Sequence, residues 1–479
     1  MLKELLNKYK SLSPVVKAPI WYTICSVVQN GIGFFTMPIF TNIMTTEQYG
    51  LFTVYQSWMG ILIIFTTLNL QYGVFNNAMI KYQDRRDEYI SAMQGLVLVL
   101  NAVFFAVYNI FRQQINVLFG LSTVIMLAMF LEMSLTPALG FWSGKKRFEY
   151  RYREVIAVTL AMSLVNPVIG VLAIWTSEDK GMAKILASVF VNAAFCFVIF
   201  SRNMYCGKKL FVKEYWKYAL SFQLPLLPYY LSQMIFNHSD RIMISSMVGK
   251  DKAAIYGVVY NCSTVITFVI NAINNAFVPW TYERLNGRNY KKLGKVSNAL
   301  SVLIGAILLM VMLVAPEIIG IMAAEEYYEG IWTMPPVICS LYFLFLSQLF
   351  INVEFFEEKK NYLVLGSAFS AVLNIVLNYL LLPVFGYIVA GYTTLAAYIV
   401  FAAANYFFMK LICREKKAKI YDMRFLLMFS GFMLAATLMI TLAYNSLWIR
   451  AGLFVVIAVT ALVFRKKISE LLKNIRGRS

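Results

Sequence analysis

Long apolar runs, each able to cross a bilayer, recur from one end of this chain to the other, and no other feature restricts its fold as strongly. A helix rises 1.5 Å per residue, so about 20 apolar residues span a hydrocarbon core. Fourteen such runs can be counted, opening with 18-43 and 51-75 and closing with 424-444 and 447-464. With 60% hydrophobic residues and a mean hydropathy of +0.66, a soluble globular domain is excluded. The expected fold class is an all-α polytopic membrane protein of about 14 transmembrane helices.

The net charge of +19 is explained by where the positives fall. With the N-terminus inside, 36 of the 43 Lys and Arg lie in segments assigned to the cytoplasm. The opposite side holds Arg112, Lys180, Lys184, Lys250, Lys252 and Arg450, and Arg241 lies within a run. This asymmetry predicts cytoplasmic termini and needs no nucleic-acid partner. The outer loops are short. The longest, Pro316 to Ile331, carries Glu317, Glu325, Glu326 and Glu329 and no positive charge. At the ends, LKELLNKYK is either an interfacial amphipathic helix or a lead-in, and RKKISELLKNIRGRS either a solvated tail or an anchor for anionic lipid.

Six cysteines, Cys25, Cys196, Cys206, Cys262, Cys339 and Cys413, fall singly in or beside apolar runs and read as small buried residues. One histidine argues against a His-based metal site. The basic stretch Met1 to Lys17 leads into a run too long for a cleavable signal. No nucleophile elbow, phosphate loop or zinc-protease motif occurs, and no outer loop is long enough to hold a catalytic domain.

Two stretches half a chain apart resemble each other. Tyr49-Gly50 corresponds to Tyr256-Gly257, and after a gap Thr66, Asn69, Gly73, Asn76, Asn77 and Ala78 run parallel to Thr264, Thr267, Asn271, Asn274, Asn275 and Ala276. Spacings of three and four predict one polar face on each helix. Such faces are either interfaces glued by amides or walls of a cavity between repeats. The expected divisions are a six-helix lobe at 1-200, a cytoplasmic linker at 201-217, a second lobe at 218-411, and a terminal helix pair with a basic tail at 412-479.

The run 218-248 holds charges where lipid should not tolerate them. Gln233, Asn237, Arg241 and Ser245 recur every fourth residue and His238 lies three before Arg241, which makes one stripe. Asp240 lies about 100° from Arg241 around the axis, so adjacency alone does not pair them. Arginine offers a planar fork that suits phosphate or pyrophosphate. The carboxylate either pairs with Arg241 in an empty site or binds a proton or Na⁺, and the alternative is a structural Asp-Arg staple. His238 reads as a hydrogen-bonded spacer or a proton relay. Pro225 and Pro228 predict a bend near the inner end of this helix. Glu132, in the inner half of the run 117-140, is either an ion-coupling carboxylate or a protonated, hydrogen-bonded one.

The order and placement of TTEQYG (Thr45 to Gly50), SDRIMI (Ser239 to Ile244) and YGVVYN (Tyr256 to Asn261) across this helix plan resemble Wzx-type polysaccharide flippases. Their superfamily also holds multidrug exporters and the lipid II flippase. The resemblance implies two six-helix lobes in a V around a central cavity, with a terminal helix pair, working by alternating access. The substrate implied is an undecaprenyl-pyrophosphate-linked oligosaccharide, turned from the inner to the outer leaflet of the bacterial cytoplasmic membrane. It implies no cofactor other than a coupling H⁺ or Na⁺, and as partners the bilayer, a polysaccharide polymerase and chain-length machinery. The family's acid-base pair falls on Asp240 and Arg241. The cavity candidates beside them are Gln29, Asn30, Asn69, Asn76, Gln233, Asn237, His238, Asn271 and Asn274, with Glu132 and Asp240 as coupling candidates. Two departures matter: the first helix carries no carboxylate, against a cation-coupled drug exporter, and the first lobe has no arginine in helices one or two, against a lipid II assignment. A drug or metabolite exporter of the same fold is the rival reading. A membrane polymerase or acyltransferase would need catalytic groups in the outer loops.

Overall fold

In the computed structural model, residues 14–357, 360–415 and 419–463 are described. The two terminal segments with alternative readings, LKELLNKYK and RKKISELLKNIRGRS, lie outside the described residues. Among the described residues there are helices and no strands, as a backbone enclosed by lipid requires. The chain forms two compact units, Met1–Met234 and Ile235–Ser479.

The first unit contains α1 (Pro14–Ile43), α2 (Thr46–Thr67), the short α3 (Val74–Lys81), α4 (Arg86–Ile110), the short α5 (Arg112–Phe119), α6 (Thr123–Phe148), α7 (Tyr152–Trp175), α8 (Lys180–Gly207) and α9 (Lys213–Gln223). The TTEQYG turn starts α2 through a reciprocal cap: the Thr45 hydroxyl accepts from the Gln48 backbone N–H, and the Gln48 side chain accepts from the Thr45 N–H. Such a cap is worth about 1 kcal/mol. α8 packs on both α6 and α7, and Val54, Met126, Met129, Met133, Ile185 and Val189 fill the space between α2, α6 and α8.

After a 3₁₀ turn at Leu224–Leu226 comes α10 (Leu227–Met247), within which the division between units falls. The second unit continues with α11 (Lys250–Thr264), α12 (Thr267–Asn286), α13 (Tyr290–Leu313), the short α14 (Ala315–Met322), a 3₁₀ run (Glu325–Thr333), α15 (Met334–Phe356), α16 (Lys360–Phe385), α17 (Val389–Glu415), α18 (Met423–Leu442) and α19 (Leu447–Val463). α15 is its centre. Its apolar window is 83% buried, against 11% for that of α7, which shows an apolar surface fit for lipid.

By length and composition, twelve helical segments among the described residues qualify as membrane spans. The two other expected runs fall on α19, whose described part is short, and on α10, which is made polar by its stripe. The expected bend at Pro225 and Pro228 is the 3₁₀ turn between α9 and α10.

Three expectations need correction. The series from Thr66 to Ala78 does not lie on one helix: α2 ends at Thr67, and Leu68, Asn69 and Gly73 take positive φ before α3 begins. Its counterpart is interrupted too, between Thr264 and Thr267, so the two stretches share a break and not only a polar face. Glu132 lies in the first half of α6, because this helix starts at Thr123 and continues through the basic residues to Phe148. Cys206 is exposed, while the other five cysteines are buried and all six are free. The acidic segment 316–331 has no positive charge of its own, as expected, but is folded, and two of its carboxylates are paired with cations from outside it. Glu317 accepts from Arg450 at 2.7 Å and Glu329 from Lys252 at 2.5 Å.

Candidate functional site

On α10 the neighbours Asp240 and Arg241 have separate partners: both reach α11, at different residues, and Asp240 alone reaches α16 and α17. Asp240 is 3% exposed. One carboxylate oxygen accepts from Asn378 Nδ2 of α16 at 2.6 Å, and the other from Tyr256 Oη of α11 at 2.7 Å and Thr394 Oγ1 of α17 at 2.6 Å. The donors are themselves held. Thr393 donates to Asn378 Oδ1 at 2.5 Å, and Ser239 donates to Asn374 Oδ1 at 3.1 Å. A carboxylate taken out of water needs such donors, and charged hydrogen bonds are worth about 1.5–3 kcal/mol each.

Arg241 is also buried. Its Nη2 donates to Asn261 Oδ1 at 3.1 Å and its guanidinium lies 4.8 Å from the centre of the Tyr260 ring, while its Nε has no partner. No ion pair among the described residues joins it to Asp240. The guanidinium thus keeps donor capacity and has no carboxylate to neutralise it. His238 Nδ1 is buried without a partner, and Gln233 and Asn237 are half-buried on the same helix.

Glu132 occupies a comparable site in the first unit. It accepts from Tyr55 Oη of α2 at 2.5 Å and from Asn192 Nδ2 of α8 at 2.7 Å. Asn192 Oδ1 in turn accepts from Asn166 of α7 at 3.4 Å, and Ser188 donates to Asn166 Oδ1 at 3.2 Å. Four helices therefore meet through one carboxylate and its amides.

The amide candidates are dispersed. Gln29 donates to the Thr159 carbonyl at 3.3 Å, and the exposed Asn30 only to its own helix. Asn69 sits in the turn after α2, where its carbonyl accepts from Gln223, and Asn76 is exposed on α3. On α12, Asn271 and Asn274 accept from Gln348 and Asn352 of α15 at 2.9 Å each, so these two face another helix of their own unit. Of the residues that complete the carboxylate sites, Tyr256 stood out in the sequence only as part of the repeat and of YGVVYN, and Tyr55, Asn192, Asn378 and Thr394 did not stand out at all. One signal existed: Asn374 and Asn378 are a turn apart in an apolar run, the spacing of a buried polar face.

Residues 15–283 match the family described as polysaccharide biosynthesis protein, and residues 225–380 match the MatE family. A protein of the Lsg locus of Haemophilus influenzae is 21% identical over 277 residues, covering 57% of this chain and 67% of that protein. Among solved structures, a lipid II flippase, MurJ, in an inward closed conformation superposes with a TM-score of 0.68 at 13% identity, covering 94% of this chain and all of that one. An inward-facing multidrug resistance MATE transporter gives 0.61 at 14% identity, over 84% of this chain and 98% of the other. At these identities the structures speak for the fold, and they agree with the resemblance carried by the short motifs.

Proposed function

The chain belongs to the polysaccharide biosynthesis protein family, and on that footing we propose that it is a flippase for undecaprenyl-pyrophosphate-linked oligosaccharide repeat units. It carries them from the inner to the outer leaflet of the bacterial cytoplasmic membrane for surface polysaccharide synthesis. Both termini are cytoplasmic in this reading. The protein works by alternating access, with no catalytic step of its own, and supplies a polymerase and its chain-length machinery. The observation that carries the reading is Arg241: a buried guanidinium with no carboxylate partner among the described residues and with Nε unbonded. A pyrophosphate is the bidentate anion that fits it. The half-buried Gln233, Asn237 and His238 on the same helix meet the sugars.

The coupling ion, H⁺ or Na⁺, is bound at Asp240, with Glu132 as a second station. Each is a carboxylate ringed by hydroxyl and amide groups, which can share a proton or turn their oxygens to a monovalent cation.

The test is reconstitution of the full chain with a labelled lipid-linked oligosaccharide, scoring the leaflet of the label. Transport is expected, with loss of most of it in Arg241→Ala. Normal surface polysaccharide in cells expressing Arg241→Ala at the usual level would remove that residue from the mechanism.

The MatE match supports a second reading, export of a drug or metabolite by the same fold. It requires that deletion alter drug sensitivity and leave surface polysaccharide intact.

A further inference from the structure

The second unit contains another buried carboxyl, and it is built unlike the other two. Glu354, near the C-terminal end of α15, is 1% exposed, and neither of its carboxyl oxygens has a hydrogen-bond partner. Asp240 has three donors and Glu132 has two. An ionised carboxylate without donors or a counter-ion at such a site costs several kcal/mol, and the usual escape is to take up a proton.

Among the described residues nothing else is placed to neutralise it. The rings of Tyr282 from α12, Tyr406 from α17 and Tyr421 from the segment before α18 pack on Phe356 and Phe350 at this end of α15, and the sequence puts Arg284, Lys295, Arg414 and Asp422 on elements that pack against it or beside those rings. Glu357 lies on the next turn. None of them lies within ion-pair or hydrogen-bond distance of the Glu354 carboxyl. Tyr421 is nearby but already committed, its hydroxyl donating to the Leu349 carbonyl at 2.9 Å. Nor is a buried carboxyl needed for packing here: an apolar side chain of similar volume would fill the place at lower cost.

We propose that Glu354 is a proton-binding site of the transport cycle. In the conformation described here it holds a proton on one carboxyl oxygen as the neutral acid. When α15 parts from its neighbours at that end and water enters, the O–H bond breaks, the proton passes to water and the carboxylate is left solvated. One proton is then bound and released in each cycle. Protons thereby take part in coupling through a residue distinct from Asp240 and Glu132. This rests on the gradient-driven transport argued above, so the test has one arm that does not need transport.

In that arm, full-length protein in liposomes is treated with a hydrophobic carbodiimide, which adds to protonated carboxyls in apolar surroundings, and is read by peptide mass spectrometry. Modification of Glu354 is expected near neutral pH, falling at least several-fold in strongly alkaline buffer. An unmodified Glu354, or one modified equally at both pH values, overturns the proposal. The second arm imposes a pH gradient and follows a labelled lipid-linked oligosaccharide. The wild type and Glu325→Gln, an exposed outer carboxyl, are expected to respond several-fold to the gradient. Glu354→Gln is expected to lose the response and Glu354→Asp to keep part of it. A Glu354→Gln protein with the full response also overturns the proposal. If the wild type moves no such lipid while Glu354 is still modified, the failure belongs to the substrate reading and not to the proton site.

Discussion

Glu132 in the first unit and Asp240 in the second face the same problem, a carboxylate buried at membrane depth, and the protein answers it with the same groups in unequal amounts. Each accepts from a tyrosine hydroxyl and an asparagine amide. Around Asp240 a third donor, Thr394, closes the shell, and Thr393 pins the amide from behind. Around Glu132 the shell stays open: Asn192 is half-buried and leads by a long contact to Asn166 and Ser188. Nor does the internal repeat relate the two. It pairs Tyr256 with Tyr49, whereas the tyrosine that serves Glu132 is Tyr55. Asp240 thus sits in a pre-set shell that resists change, and Glu132 in one whose donors can leave.

Removing each acid tests this difference most severely. Asp240→Ala leaves three buried donors without an acceptor and is expected to destabilise the second unit by about 3–5 kcal/mol, read from denaturant unfolding in detergent micelles. Glu132→Ala strands two donors, one of them half-buried, and should cost about 1–3 kcal/mol. Equal losses would break the comparison. Removing the amides sharpens it. Asn378→Leu also frees the Thr393 hydroxyl and is expected to cost about 2–3 kcal/mol by the same measurement, and Asn192→Leu about 1 kcal/mol.

Removal of a single hydroxyl is smaller again. Tyr55→Phe and Tyr256→Phe should each cost about 1–2 kcal/mol, and a double-mutant cycle with the acid should show the stronger coupling at Tyr256. The baseline is a carboxylate outside the membrane. Glu317, paired with Arg450, has its carboxyl held below the ordinary range by that guanidinium. A lowered folded value stabilises above the unfolded one and is lost as the pH falls through the folded value. The Glu317 side chain is 43% exposed, so the acid-side loss that Glu317→Gln removes should be under about 1 kcal/mol.

Much of the fold could be read from the sequence because lipid imposes a single length scale. Even the break at Pro225 and Pro228 carried a signal, since proline cannot continue a hydrogen-bond ladder. The break after Thr67 carried less, because Leu68 and Asn69 enter the left-handed region without a proline to mark it. In the site, Asp240, Arg241 and Glu132 stood out because charge is costly in an apolar run. Their partners did not, save Tyr256, which the repeat and YGVVYN marked without its link to Asp240. Tyr256, Asn378 and Thr394 lie 16, 138 and 154 residues from Asp240, and Tyr55 lies 77 from Glu132. A single neutral polar residue in an apolar helix costs little, so only the packing of helices reveals what it serves.

The turn after α2 has a consequence for biosynthesis. Gln223, with no exposed surface, donates its amide to the carbonyls of Leu68 and Asn69 at 3.1 and 2.7 Å, across 155 and 154 residues. The Leu68 carbonyl has lost its helical partner at the break, whereas that of Asn69 also accepts from the Tyr72 N–H at 3.0 Å. A nascent chain has therefore made this turn long before the residue that satisfies it leaves the ribosome. Until α9 is synthesised, the Leu68 carbonyl must find another donor, such as water or a lipid headgroup. The contact from Gln223 closes only as the chain nears the second unit.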